Sequence, residues 1–375
     1  MTRGPNIDDL IRPGIIVMCG SDGVGKTTTS AAVATRAAWQ QDLRVAVLTI
    51  DPARRLANAM GLEKLGNRLR KVPLEKLGAR GQQPAGTLNA GMLEAKSAWD
   101  DLILERAATP ELAQSIMRNP FYREISGAFV GSHEYIAMER LYDLWGSGKY
   151  DLIVLDTPPS RNALDFLEAP ARMTELVSGG LLGLLARPGA FAGKVGLRMF
   201  SLTAKPIMSI ADRLLGGSTL SEISEFLLSI EGLYDGFKQR AEGVYQLLGD
   251  EATSFVVVTT LEDVPFEEAR FFVEKLQEAK MHLAGAVVNK RLPGYLTDPA
   301  AANLARRLVE RSSPAVRLLA ENYLDLRTLG LRDRDLLARI EDLGVPLLGS
   351  VPRMPEPVND LKGLLEVGNL LAGAA

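Results

Sequence analysis

The run Gly20-Ser21-Asp22-Gly23-Val24-Gly25-Lys26-Thr27 holds residue types that can grip a phosphate chain. Glycines let consecutive backbone N–H groups curl around anionic oxygens without Cβ clashes. The spacing is G-x-x-x-x-G-K-T, in which the lysine reaches β- and γ-phosphates and the next hydroxyl binds Mg²⁺. Those groups are Lys26 and Thr27, with Thr28 following. Two carboxylates stand at the ends of apolar runs. Asp51 follows Arg44 to Ile50 and precedes Pro52-Ala53-Arg54-Arg55. It can orient and deprotonate a water that attacks a γ-phosphate, or it can cap a helix starting at Pro52. Asp156 follows Tyr150 to Leu155 and precedes Thr157-Pro158-Pro159-Ser160-Arg161. It reads as the acid that holds Mg²⁺, with helix capping as the alternative.

Such residues need a scaffold that delivers them to one edge. Ile15 to Cys19 is a short, β-branched apolar run ended by a glycine, as a buried strand requires. Similar runs are 44–50, 150–155, 254–259, 283–288 and 345–351, with helical patterns between them, for example Lys26 to Gln41 and Phe266 to Lys280. Strand–helix alternation with buried strands predicts an α/β fold: a mostly parallel central sheet covered by helices on both faces. Two segments break the rhythm and read as helical insertions forming a subdomain, 94–148 and 173–251. They leave a core of 1–93, 149–172 and 252–375 in one P-loop domain spanning 1–375. In the second insertion, Thr219-Leu220-Ser221-Glu222 is a capping box. An apolar stripe follows from Leu220 through Ile230, Phe237 and Val244 to Leu248. It can pack on neighbouring helices or line a groove for an apolar helix.

Composition removes much other chemistry. Lys plus Arg number 43 against 46 Asp plus Glu, a net charge of −3, so no broad positive field exists for nucleic acid. With one cysteine, Cys19, the chain cannot form an internal disulfide or a cysteine-built zinc site, and two histidines, His133 and His282, make an all-histidine metal site implausible. No stretch of about 18 uncharged apolar residues reads as a transmembrane segment. The first nine residues lack a signal-peptide core. The expectation is a cytoplasmic protein.

Three tracts in order, Gly20 to Thr28, Thr49 to Leu56 and Asp156 to Leu167, resemble the deviant P-loop ATPases of the arsenical-pump (ArsA) and GET tail-anchored-protein-targeting group. Val287-Val288-Asn289 resembles that family's adenine-binding strand. Val351-Pro352-Arg353-Met354 with Asp360 to Leu364 resembles its adenine loop. The likeness covers nearly the whole chain and is closest to bacterial members described as anion-transporting ATPases. It implies ATP and Mg²⁺ as ligands, with hydrolysis to ADP and phosphate. It also implies a nucleotide-driven dimer switch and a client handled by the helical insertions. Gly20 through Thr28 fall on the family's phosphate cradle, Asp51 on its water-activating switch I carboxylate and Asp156 on its switch II acid. Thr27, Asp156 and Asp51 fall around its metal, Asn289, Pro352 and Arg353 about its adenine. Glu262 lies near a ribose or dimer-contact position.

One departure bears on rate. The family's loop reads G-K-G-G-x-G-K-T, and its first lysine touches the partner's phosphates across the dimer. Here that position is Ser21, with Asp22 where glycine is usual. Loss of a finger-like cation lowers comparable reactions by about 10³–10⁵. Three outcomes stay open: slow hydrolysis, replacement of the lysine by Arg54, Arg55 or Arg161, or a heterodimer with a lysine-bearing paralogue in place of a homodimer. A weakly active nucleotide-sensing subunit and a P-loop kinase or ligase are the other readings. The family's metalloid site uses several cysteines and its eukaryotic zinc clasp a Cys-x-x-Cys pair; this chain has neither. A hydrophobic protein therefore fits as client better than arsenite. Membrane cycling is disfavoured, since Lys362 is the lone base in the last helical pattern.

Overall fold

The computed structural model describes residues 5–50, 54–62, 66–78, 82–93, 95–120, 122–123, 132–157, 234–342 and 344–373. They divide into two compact units, one of 1–92, 144–163 and 248–375 and one of 93–143 and 164–247.

The first unit is built on a sheet of eight strands among the described residues. These are β1 (Gly14–Cys19), β2 (Arg44–Thr49), β3 (Arg70–Lys71), β4 (Thr87–Met92), β5 (Leu152–Asp156), β6 (Thr253–Thr259), β7 (Leu283–Arg291) and β8 (Leu347–Pro352). Their order across the sheet is β3-β4-β2-β5-β1-β6-β7-β8. All pairings are parallel except that of the two-residue edge strand β3 with β4. Alternate residues of a strand face opposite ways. On one face Ile16, Met18, Val45, Val47, Val154, Val256 and Val258 join a single core with α1 (Lys26–Gln40). The other face carries Ile15, Val17, Ile153, Leu155, Phe255 and Val257, equally buried. Burial on both sides explains why the strands read as unbroken apolar runs. Small residues let α1 lie close: Ala31, Ala32, Ala34, Ala37 and Ala38 are wholly buried. Arg36 on the same helix ties the N-terminal segment to the C-terminal helix, pairing with Asp8 at 2.7 Å and bonding Asn369 at 2.5 Å.

Further helices follow in chain order. They are α2 (Arg54–Ala59), α3 (Ala95–Arg106), α4 (Pro110–Arg118), α5 (Ser132–Gly146), α6 (Tyr234–Gly249), α7 (Asp263–Glu278), α8 (Pro299–Arg311), α9 (Pro314–Asp342) and α10 (Leu361–Leu371). The second unit takes α3, α4 and most of α5 and α6. A polar network runs through its interior. The Tyr135 hydroxyl donates to Glu139, whose other oxygen accepts from Arg240 Nε at 2.5 Å. The same guanidinium reaches Asp143 at 2.5 Å and covers the Tyr142 ring. Burial, reinforced by Glu139, pushes the Tyr135 phenol far above its ordinary range, so it stays a donor. The capping box at 219–222 and the first part of the apolar stripe lie outside the described residues. The stripe's described positions Ala241, Val244 and Leu248 are buried, which is packing rather than an open groove there.

Candidate nucleotide-binding site

The residues singled out for chemistry emerge at the C-terminal ends of adjacent strands, where parallel sheets place ligands. β1 delivers the glycine loop, and its neighbours supply what surrounds it. Gly20 leaves the strand at φ 147°, and a Cβ there would lie 2.2 Å from the Val258 carbonyl oxygen. Only glycine fits so close to β6. Gly25 has φ 95° and caps α1 with no side-chain bond, so the first N–H groups of the helix face the loop's mouth without an internal cap. Around Gly23 the space is open, and Asp22 is exposed.

Lys26 opens α1 and is buried, with Nζ donating to the Ser21 carbonyl at 2.7 Å. The lysine thus arches back over its own loop. Cys19 lies beneath, free and buried. Burial pushes its thiol up to about 12, although the Lys26 ammonium and a Thr157 hydrogen bond pull the other way. Thr27 and Thr28 are half-buried in the first turn.

Asp156 ends β5 fully buried. Its Oδ2 accepts from the Thr49 hydroxyl at 2.8 Å, and Ser30 Oγ stands 3.5 Å from Oδ1. The next residue, Thr157, donates through Oγ1 to the Met18 carbonyl at 2.8 Å, fixing the exit of β5 against β1. Asp51 lies outside the described residues, as does Arg161, and the side chains of Arg54 and Arg55 are likewise undescribed.

On the other flank, β7 brings Asn289 behind the loop. Its Nδ2 donates to the Val24 carbonyl at 2.8 Å. Lys290, which the residue pattern did not single out, donates through Nζ to the Gly23 carbonyl at 2.6 Å. Pro352 closes β8 opposite Arg291, and the Arg353 N–H donates to the Arg291 carbonyl at 2.9 Å, so Asn289, Pro352 and Arg353 do gather at one corner. Glu262 stands exposed at the start of α7. It is near Asp333, whose carboxyl is raised by burial and, less, by Glu262.

Two buried hydroxyls flank the loop without a hydrogen-bond partner, Ser21 Oγ after β1 and Thr260 Oγ1 after β6. Unsatisfied buried donors are rare, and an anion's oxygens would satisfy them. A buried carboxylate beside hydroxyls is a hard-oxygen set that suits Mg²⁺. The residues present therefore fit a nucleotide phosphate chain with its metal.

A glycine cradle with a buried lysine, opening a helix at the end of a central parallel strand, defines a P-loop nucleotide-binding α/β protein. The family model for anion-transporting ATPases (ArsA_ATPase) matches residues 14–329, and the chain belongs to that family. Among curated proteins it is similar to the ATPase GET3 of Lachancea thermotolerans, 26% identical over 314 residues that cover 80% of this chain and 79% of that one. It is also similar to the putative arsenical pump-driving ATPase 2 of Aquifex aeolicus, 26% identical over 282 residues covering 73% and 79%. The ATPase GET3 of Candida tropicalis is 26% identical over 358 residues, 92% of this chain and 88% of that protein. Among the described residues no helix is long and apolar enough to cross a membrane.

Proposed function

We propose that this chain is a Mg²⁺-dependent ATPase in which nucleotide state switches a dimer and, through the helices of the second unit, the handling of a client. The buried Lys26, held at 2.7 Å on its own loop beneath the glycine cradle, carries the reading. In the complex its ammonium moves from the Ser21 carbonyl to the β- and γ-phosphates, while the N–H groups of the loop and of the first turn of α1 donate to phosphate oxygens. Thr27 and Asp156 would hold Mg²⁺, which would offset phosphate charge there. Asp51 takes a proton from the attacking water, giving ADP and phosphate. Asn289, Pro352 and Arg353 form the corner that receives adenine. The names of the GET3 relatives support the ATPase assignment. They leave the client open, for which a hydrophobic protein segment is our reading.

Ser21 favours a second reading in the same site. A neutral hydroxyl at the position of the cross-dimer lysine predicts slow turnover, a nucleotide sensor in the limit. Calorimetry with ATP and Mg²⁺ tests the core claim. The wild type should bind and Lys26→Ala should lose affinity by at least tenfold; equal binding by both would overturn it. Phosphate release with water as sole acceptor separates an ATPase from a kinase, and sizing with and without ATP tests the dimer. Release only on mixing with a lysine-bearing paralogue would favour the sensor.

A further inference from the structure

We infer that Lys290 is a positioning residue for nucleotide binding: with Asn289 it straps the phosphate loop from outside and aims the Val24 and Gly25 amides into the cradle. The inference rests on the nucleotide-binding reading above and adds a residue to it.

The geometry follows from the peptide bond. A trans peptide is planar, so the carbonyl of one residue and the N–H of the next point in opposite directions. The chain holds no cis peptide among the described residues. Lys290 Nζ lies 2.6 Å from the Gly23 carbonyl and thereby turns the Val24 N–H to the opposite side. Asn289 Nδ2, 2.8 Å from the Val24 carbonyl, turns the Gly25 N–H the same way. A Cβ at Gly23 would meet nothing within 4 Å and its φ is 73°, so this glycine has wide backbone freedom that the Lys290 bond restricts. An amide already aimed at an anion costs no ordering when the anion arrives.

Lys290 is also placed at some expense. Its φ is 56°, in the left-handed region that a long side chain rarely occupies. Asn289 Oδ1 accepts from the Lys290 N–H at 2.8 Å and holds that turn. Glycine would suit this backbone better, yet glycine has no ammonium to reach Gly23. Backbone preference and strap therefore pull in opposite directions, which lets an experiment separate them.

The test uses the full chain, Mg-ADP calorimetry and thermal unfolding without nucleotide. Lys290→Gly relieves the left-handed strain and removes the strap. It should unfold near the wild-type temperature, relief of the left-handed strain offsetting the lost bond and the added chain entropy, yet bind Mg-ADP about 3–10-fold more weakly, the worth of roughly one hydrogen bond. Lys290→Arg, which can still donate to Gly23, should recover most of that affinity, and Lys290→Met should not. A residue that merely built the turn would give unchanged binding in Lys290→Gly, and that result would overturn the strap while leaving the nucleotide site intact. A wild type that does not bind Mg-ADP would overturn the nucleotide reading and the strap with it.

Discussion

Gly25→Ala probes the contact between β7 and the phosphate loop directly. The new methyl meets two separate obstacles. The φ of 95° is unfavourable to any residue with a Cβ, at roughly 1–2 kcal/mol. The Cβ would also fall 2.1 Å from Asn289 Nδ2, so the amide must swing away and its 2.8 Å bond to the Val24 carbonyl breaks, a further loss of about 1 kcal/mol. Gly25→Ala alone should therefore destabilise the loop by about 2–3 kcal/mol, and Asn289→Ala alone by about 1 kcal/mol. In the double variant the methyl enters space already vacated and only the backbone strain is new. Its total should be about 2–3 kcal/mol, roughly 1 kcal/mol less than the sum of the single changes. Amide hydrogen exchange, read by mass spectrometry on peptides covering residues 20–30, measures these local opening energies. Strictly additive costs would show that Gly25 and Asn289 do not share the contact described, and the geometry behind the strap would be wrong.

Arg240→Met leaves Glu139 buried beside Tyr135 without its cation, and should lower stability by about 3–5 kcal/mol. Adding Glu139→Gln should return part of that loss in urea unfolding. Cys19, the only cysteine, is buried with its thiol pushed up to about 12, so iodoacetamide at pH 8 should leave the native chain unmodified and label one site after unfolding. Asp151 is held down to about 2 by hydrogen bonds from Arg44, so its contribution is present above about pH 4 and is lost as pH falls towards 2. The stability difference between wild type and Arg44→Met should shrink over that interval; a pH-independent difference would assign Arg44 a packing role alone.

How far the sequence could be read followed from local chemistry. The inner strands β1, β2, β5 and β6 are buried over nearly their whole length and coincide with apolar runs; β7 and β8 coincide with such runs as well, their apolar middles being largely buried while Lys290 and Pro352 near their ends are exposed. β4 escaped notice. Its Asn89 and Gly91 are poor strand formers, and its place between β2 and β3 comes from neighbours rather than from propensity. Helices α8 and α9 fall where a helical pattern is expected between the runs 283–288 and 345–351, but their bounds are not legible there. Leu318, Leu319, Leu326 and Leu329 on α9 are exposed, so its apolar residues do not mark a single inward stripe. In the candidate site, Lys26 and Asp156 stand out in the sequence because the roles proposed for them, phosphate-loop lysine and metal acid, call for fixed residue types. Thr49 and Lys290 do not, since any donor of suitable reach could bond the same carboxylate or carbonyl. Their roles arise from which strands lie beside β1, and pairing order is not written in a local pattern.

That order gives the loop two unlike neighbours. On one side β5 and β2 bring a buried carboxylate with the hydroxyl that holds it, Asp156 and Thr49. On the other side β6 and then β7 bring no acid to the loop. They press against it through Val258 and hold its carbonyls through Asn289 and Lys290. Charge that can organise a metal and a water thus lies on one flank, and donors that fix the loop's shape lie on the other. A change on the β7 flank alters how well the cradle is formed before any ligand arrives, and acts first on affinity. On the function proposed above, a change at Asp156 acts first on what happens to a bound phosphate. Position 21 lies between the two flanks. On that same proposed function, a serine in place of the family's lysine takes a charge away from the phosphates, so Ser21→Lys should change phosphate release more than it changes affinity, and an equal change in both would refute that reading.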